Sequence, residues 1–181
     1  LTSDKNVKIY AEDFRNEVYS SFGISLGEKG EKPVVLSIVE NADGKNEEYH
    51  EIYIKKDKIE ICGASPIGIL RGLYYILELS GTHKVFSLKC ASYKRNPIFK
   101  TRFIYSFCGL YADVLDRDLE ISFPEKLLKQ YAKCGINGVW IQAVLYKLAK
   151  MPFDLSLSEG YEARVEKLKE LTERCARYGI K

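Results

Sequence analysis

Two apolar stretches, Pro97-Ile-Phe-Lys-Thr-Arg-Phe-Ile-Tyr-Ser-Phe107 and Gly138-Val-Trp-Ile-Gln-Ala-Val-Leu145, decide the fold of the second half of this chain. Each predicts a strand, and the first begins with a proline. The pattern between and after them predicts a helix over 127–134, which Gly135 would close, and a second helix over 159–178. This order of strand, helix, strand and helix is typical of a parallel sheet. A third strand would come next, so we expect the 181 residues to be a piece of a larger protein.

The first half of the sequence mixes strands with helices and predicts an α+β domain with a mixed sheet and two helices. Its predicted elements are a short strand over 7–10, a helix over 12–22, a strand covered on both faces over 33–39, a hairpin over 48–62, a helix over 65–81 and a last strand over 85–88. The second helix is predicted to begin at Ser65-Pro66, because serine is a favoured N-cap and proline suits the first turn. Residues 93–96 are predicted to be a linker, with the domain boundary near Arg95.

Charge and apolar patterning argue against two classes of partner. The formal net charge of +3 is too small to indicate nucleic-acid binding, and cations alternate with acids as on a solvated surface. No apolar run approaches the ~20 residues that span a bilayer, so no membrane partner is expected.

The five cysteines form neither a Cys-x-x-Cys pair nor a cysteine–histidine cluster, and no metal or organic cofactor is expected. Cys62, Cys134 and Cys175 fall at apolar positions and are expected to be buried free thiols. Free thiols suit a reducing compartment such as the cytoplasm. A secreted or periplasmic protein whose signal peptide was removed is the alternative.

Several motifs resemble glycoside hydrolases. Tyr49 to Leu79, which includes Gly63-Ala-Ser-Pro-Ile-Gly-Ile-Leu-Arg-Gly-Leu-Tyr-Tyr75, resembles the small domain that precedes the barrel in β-N-acetylhexosaminidases and α-glucuronidases. Pro97-Ile-Phe-Lys-Thr-Arg102 resembles the start of their barrel. Tyr131-Ala-Lys-Cys-Gly-Ile-Asn-Gly-Val139, together with the ending Ala176-Arg-Tyr-Gly-Ile-Lys181, is similar to a pattern of the α-glucuronidases.

The resemblance implies an accessory α+β domain over 1–95, followed over 96–181 by the first two βα units of a truncated (β/α)8 barrel. It implies hydrolysis of O-glycosyl bonds, with an oligo- or polysaccharide as the substrate of the full-length protein. In these families the catalytic carboxylates come from later strands, so the chain is expected to hold no catalytic residue and to be inactive by itself.

Two other functions stay open on the sequence: a non-catalytic carbohydrate-binding or scaffolding module, and a different βα enzyme whose first half matches by coincidence. An incomplete barrel would also leave apolar strand residues uncovered, which predicts self-association of the chain.

Three residues are predicted to bind substrate. The resemblance matches Arg102 to an arginine that binds sugar hydroxyls; the alternative is a structural ion pair at the bottom of the barrel or a contact between the two domains. It matches Phe107 to an aromatic that stacks on the sugar, with a core role as the alternative. Gln142 falls where the family has an asparagine, and a hydrogen bond in the barrel interior is the alternative. The acidic segment 113–118 is expected to be a solvated loop.

Overall fold

The structure, a computed structural model, describes residues 4–27, 32–39, 44–81, 86–105 and 113–181. The chain divides into two compact units, Leu1–Lys100 and Thr101–Lys181. The first unit combines a mixed sheet with two helices, and the second combines two parallel strands with three helices among its described residues. The predicted α+β architecture with a mixed sheet and several helices is therefore confirmed.

The first unit contains a four-stranded sheet with strand order β1-β3-β2-β4. Its elements are α1 (Lys5–Phe22), β1 (Val34–Ile38), β2 (His50–Ile54), β3 (Ile59–Gly63), α2 (Pro66–Gly81) and β4 (Ala91–Arg95). β1 runs parallel to β3, whereas β2 is antiparallel to both β3 and β4. The predicted hairpin is confirmed, and its alternating burial puts every second residue of β2 and β3 in the core.

The first helix begins earlier than the sequence pattern suggested, and the strand predicted over 7–10 is wrong. Asp4 caps the helix by accepting hydrogen bonds from the amides of Asn6 and Val7. The residues buried along α1 are Val7, Tyr10, Phe14 and Val18. Their spacing of three or four residues forms one continuous apolar face, so helical burial outweighs the strand preference of Val-Lys-Ile-Tyr.

Two strand predictions need correction. β1, at an end of the described sheet, is exposed along most of its length, not covered on both faces, because α2 packs mainly over β3 and less over β1. The last strand is β4, which occupies the predicted linker, whereas residues 86–89 form no strand and Val85 lies outside the described residues. β4 is selected by pairing with the free edge of β2, a contact that local sequence does not reveal.

Helix α2 lies unusually close to the end of the hairpin. The predicted N-cap is confirmed, since the Ser65 hydroxyl accepts a hydrogen bond from the Ile67 amide at 3.1 Å. A Cβ on Gly63 would lie 2.6 Å from the Ile69 amide nitrogen, and one on Gly68 would overlap the carbonyl oxygen of Tyr49. Only glycine permits this approach.

A charged pair is buried beneath α2. Arg71 Nη2 and Nε each lie 2.7 Å from Glu48 Oε1, and both side chains are at most 7% exposed. His50 is also buried, and its Nδ1 donates to the Glu48 carbonyl oxygen at 2.9 Å. Its Nε2 is buried with no hydrogen-bond partner among the described residues. Burial, aided by the charges of Arg95 and Arg71, lowers the pKa of His50 despite the Glu48 contacts.

The second unit follows the predicted order of strand, helix, strand and helix. Its elements are β5 (Phe103–Tyr105), α3 (Leu119–Ser122), α4 (Glu125–Lys133), β6 (Gly138–Trp140) and α5 (Tyr161–Ala176), with short 3-10 helices at Val114–Asp116, Leu145–Lys147 and Leu155–Ser158. β5 and β6 pair in parallel, as predicted, although each described strand is much shorter than its apolar stretch. Helix α4 is followed, after its C-cap Cys134, by Gly135, whose φ of 81° is a conformation that glycine favours after a helix.

The described cysteines differ in burial. Cys175 is buried, and burial raises the pKa of its thiol to about 11. Cys134 is exposed, contrary to the prediction, because it follows α4 as its C-cap; Cys62 is half-buried. Across the described residues, no helix combines the length and apolar character needed to cross a bilayer.

The close packing of α2 gives a test by added methyl groups. Gly68→Ala should destabilise the first unit by about 1–3 kcal/mol, because the clash is with rigid backbone. Gly81→Ala, at the end of the same helix, should cost much less, because no described atom lies within 4 Å of a Cβ at that position. The stability of both variants can be measured by urea denaturation, with hydrogen exchange of β2 and β3 as the probe of the first unit. Equal losses would contradict the backbone clash.

The buried histidine predicts a pH dependence. The pKa of folded His50 lies below its unfolded value of about 6.5, so the unfolded chain binds more protons below that pH. The stability of the first unit should therefore fall as pH drops below about 6.5, with a limiting slope of about 1.4 kcal/mol per pH unit. His50→Asn, which keeps a donor near Nδ1, should flatten this dependence in hydrogen exchange of β2 between pH 8 and 5. An unchanged slope would refute the assignment.

Candidate functional site

The amino ends of β5 and β6 are joined by Asn137, which is 5% exposed. Its Oδ1 accepts a hydrogen bond from the Arg102 amide at 2.7 Å, and its own amide donates to the Arg102 carbonyl at 2.9 Å. Its carbonyl oxygen accepts from the Lys181 amide, also at 2.9 Å. A Cβ on Gly138 would lie 3.2 Å from Phe103 Cβ. The motif Gly135-Ile-Asn-Gly-Val139 therefore builds a joint between backbone segments.

Arg102 belongs to this joint. It precedes β5, and its Nε donates to the Gly135 carbonyl at 2.6 Å. It thus lies at the amino end of the parallel pair, whereas active sites on parallel barrels form at the carboxyl ends of the strands. This position and the hydrogen bond to the Gly135 carbonyl fit the structural role that the sequence left open as the alternative. A sugar contact of Arg102 stays a prediction.

The carboxyl end of the parallel pair carries two aromatic rings. Tyr105 and Trp140 are neighbours in the strand register, with ring centroids 6.2 Å apart and an interplanar angle of 74°. Their exposed fractions are 50% and 43%. Gln142 follows two residues after β6 and is exposed, whereas Phe107 lies outside the described residues. The structure therefore brings Gln142 near the end of the strand that carries Trp140.

This end of the unit suits sugar binding chemically. Exposed aromatic rings can stack on the C–H groups of a sugar ring, and a glutamine amide both donates and accepts hydrogen bonds. The sequence analysis did not select Tyr105 or Trp140. The available signal was an aromatic residue in each of two adjacent predicted strands, at positions that the parallel register then places side by side.

The described segment 113–118 after β5 is less solvated than the sequence predicted at Asp113, which is half-buried, whereas Asp116 and Asp118 are exposed as predicted. Arg164, at the start of α5, forms ion pairs with Asp113 and Asp116, and Lys147 Nζ lies 3.3 Å from Asp116 Oδ2. Asp118 caps α3 by accepting from the Glu120 amide at 3.0 Å. One feature of the sequence could have predicted these ion pairs. Arg164 is a cation in the first turns of a predicted helix, where the helix dipole disfavours positive charge unless an anion is near.

The ion pairs set the charge of Asp113. Burial alone would raise its pKa, but hydrogen bonds from Arg164 and the Leu115 amide, with the charges of Arg164 and Lys147, outweigh burial and lower the pKa. Asp113 is therefore a fixed carboxylate at neutral pH and is unsuited to donating a proton. Within the described ranges, no group of three or more His, Cys, Asp and Glu side chains could hold a metal ion.

The joint at Asn137 predicts a specific loss of stability. Asn137→Ala should destabilise the second unit by about 1–3 kcal/mol, because it leaves the Arg102 amide without its side-chain acceptor. Asn137→Asp keeps an acceptor oxygen and should cost less than alanine at acidic pH, where the new carboxyl is protonated and no charge is buried. Trp140 is the sole tryptophan of the chain, so its fluorescence during urea denaturation reports on this unit alone. Equal losses in the two variants would contradict the hydrogen-bond account.

Comparison with known proteins gives a match in structure only. No protein-family model matches the sequence, and no curated protein matches it. A GH138 enzyme targeting pectin rhamnogalacturonan II shares the fold at a TM-score of 0.73 and 17% identity, over 99% of this chain and 23% of that protein. A GH20 chitobiase of Flavobacterium johnsoniae matches at 0.65 and 18% identity, over 98% and 29%.

A mutant β-hexosaminidase of Streptomyces plicatus, in complex with its product GlcNAc, matches at a TM-score of 0.69 and 9% identity, over 100% of this chain and 39% of that protein. The chain thus spans 23–39% of the length of these three proteins. At identities of 9–18% the likeness is one of fold. It confirms the predicted resemblance at that level: the chain has the fold of a part of a glycoside hydrolase.

Proposed function

We propose that this chain is the N-terminal part of a glycoside hydrolase that cleaves O-glycosyl bonds in an oligo- or polysaccharide. In this proposal residues 1–95 form an accessory α+β domain, and residues 96–181 form the first two βα units of a (β/α)8 barrel. The observation that carries the proposal is the structural match over 98–100% of the chain to a GH138 enzyme, a chitobiase and a β-hexosaminidase, each of which is much longer.

The hydrogen bonds of Lys181 support the barrel. Its amide donates to the Asn137 carbonyl and its carbonyl accepts from the Val139 amide, each at 2.9 Å. These two bonds, placed on either side of Gly138, are the pattern of a parallel bridge. β6 therefore has a parallel neighbour on each side, β5 on one and Lys181 on the other. A barrel extends in this way from one βα unit to the next.

The exposed face of the strands supports a site at their carboxyl ends. Phe103, Tyr105 and Trp140 share one face of the pair and are 64%, 50% and 43% exposed. In a complete barrel further strands would cover the inner part of this face and leave the carboxyl end open to substrate. We place the sugar against Tyr105, Trp140 and Gln142, with Phe107 as a further predicted contact. In the 181-residue chain the same uncovered face favours self-association.

The chain is proposed to be inactive by itself. Glycosidic cleavage usually needs a carboxylic acid and a second carboxylate on opposite sides of the bond. In the described part of the second unit, Asp113 and Asp116 follow β5, but both are engaged by Arg164. The catalytic pair would come from later strands. A non-catalytic carbohydrate-binding module is less favoured, because the three matching proteins are enzymes by their descriptions.

The test compares two lengths of the protein. We would sequence the reading frame beyond Lys181, express its full product and assay it beside the 181-residue chain on chromogenic glycosides, including β-N-acetylglucosaminides and α-glucuronides. We expect turnover of at least one glycoside by the longer protein and none by the chain. Turnover by the chain that Asp113→Asn abolishes would overturn the assigned inactivity. A reading frame without further βα units, with sugar binding but no turnover, would favour the binding module.

A further inference from the structure

Arg164 uses all three guanidinium nitrogens inside the second unit. Its side chain is 8% exposed. Nη2 lies 2.5 Å from Asp113 Oδ2, Nη1 donates to Asp116 Oδ1, and Nε donates to the Lys147 carbonyl at 3.1 Å. The side chain thus connects three places at once: the segment that follows β5, the segment that follows β6, and helix α5.

The segment that follows β5 is held a second time, one helical turn further along α5. Lys167 Nζ donates to the carbonyl oxygens of Leu115 and Arg117, each at 3.0 Å. Val114 and Leu115 are at most 1% exposed, so the segment is packed as well as hydrogen-bonded. Lys147, whose carbonyl Arg164 contacts, also reaches back with its Nζ to Asp116 at 3.3 Å. The two segments are therefore joined from both sides.

Because burying Arg164 is costly, we infer that its main effect is to fix the positions of its partner groups and not to add stability. A cation near the start of a helix is opposed by the helix dipole, and removing a charge from water costs several kcal/mol unless carboxylates compensate. Apolar residues of similar volume often replace such buried pairs without loss of stability. What an apolar residue cannot supply is the planar fork of donors that fixes two carboxylates and a carbonyl relative to one another.

We propose that Arg164 is a positioning residue for the carboxyl end of the parallel pair. By holding residues 113–118 and the segment after β6 together, it fixes the stretch from Trp140 through Gln142 to Lys147 within the second unit. The substrate side of this inference rests on the proposed function. The ordering of the two segments does not, and it can be measured on the 181-residue chain.

The first test measures hydrogen exchange in Arg164→Met, Arg164→Lys and the control Arg174→Met. Arg174 lies on the same helix and also contacts two carboxylates, Glu120 and Glu170. Arg164→Met should speed exchange of residues 113–118 and 142–150 at least tenfold, leave α4 and α5 protected, and change the quenching of Trp140 fluorescence by acrylamide. Arg174→Met should change neither segment. Arg164→Lys should give an intermediate effect, since lysine keeps the charge but loses the fork.

Faster exchange spread evenly over the second unit, or unchanged exchange in residues 113–118 and 142–150, would overturn the proposal. The second test uses the full-length enzyme. Arg164→Met should raise KM for its glycoside at least fivefold with a smaller change in kcat, and Arg164→Lys should recover part of the loss. Unchanged KM with disturbed segments would restrict Arg164 to a structural role and so overturn its positioning role. If no glycoside is cleaved at all, the proposed function fails, while the exchange result still decides whether Arg164 orders the segments.

Discussion

Buried backbone groups at the start of two parallel strands need partners, and in the second unit Asn137 supplies several of them. Its side chain and backbone pair with Arg102, while its carbonyl pairs with Lys181. This sets the register in which Phe103 lies opposite Gly138, and the same register two residues later puts Tyr105 opposite Trp140. The aromatic pair at the carboxyl end therefore depends on an amide at the amino end.

In the first unit, the buried polar groups that need partners are side chains beneath helix α2. Helix α2 approaches the hairpin so closely that its first turn and the preceding strand end require glycine at 63 and 68. The approach buries the Glu48–Arg71 ion pair, each of whose charges would be costly without the other. It also leaves His50 neutral beneath the helix. The unit thus combines tight packing with a polar interior in which Glu48 pairs with Arg71 and His50 donates to the Glu48 carbonyl oxygen.

The two ends of the parallel pair carry different kinds of residue. The amino end holds the motif Gly135-Ile-Asn-Gly-Val139 and Arg102, which serve backbone hydrogen bonds and close packing. The carboxyl end holds the exposed aromatic rings and the charged network around Arg164. The residues that carried the resemblance to glycoside hydrolases are largely structural. The resemblance is therefore confirmed for the fold, and the sugar contacts stay predictions.

The sequence by itself determined the features that depend on neighbouring residues. The hairpin, the serine cap at Ser65, the end of α4 at Gly135 and the order of strand and helix in the second half all follow from local pattern and turn chemistry. The sequence failed on α1, where an aspartate cap and a helical apolar face extended the helix over a stretch of strand-forming residues.

Only the tertiary structure decided the features that depend on distant residues. β4 became a strand by pairing with β2, and Arg102 found its partner 33 residues away at Gly135. Arg164 meets Asp116 and Asp113 across separations of 48 and 51 residues. The residues near a charge or a strand edge in sequence do not indicate which distant charge or strand edge it will contact. Burial of the intervening core brings them together, and the cost of an unpaired buried charge then selects the partner.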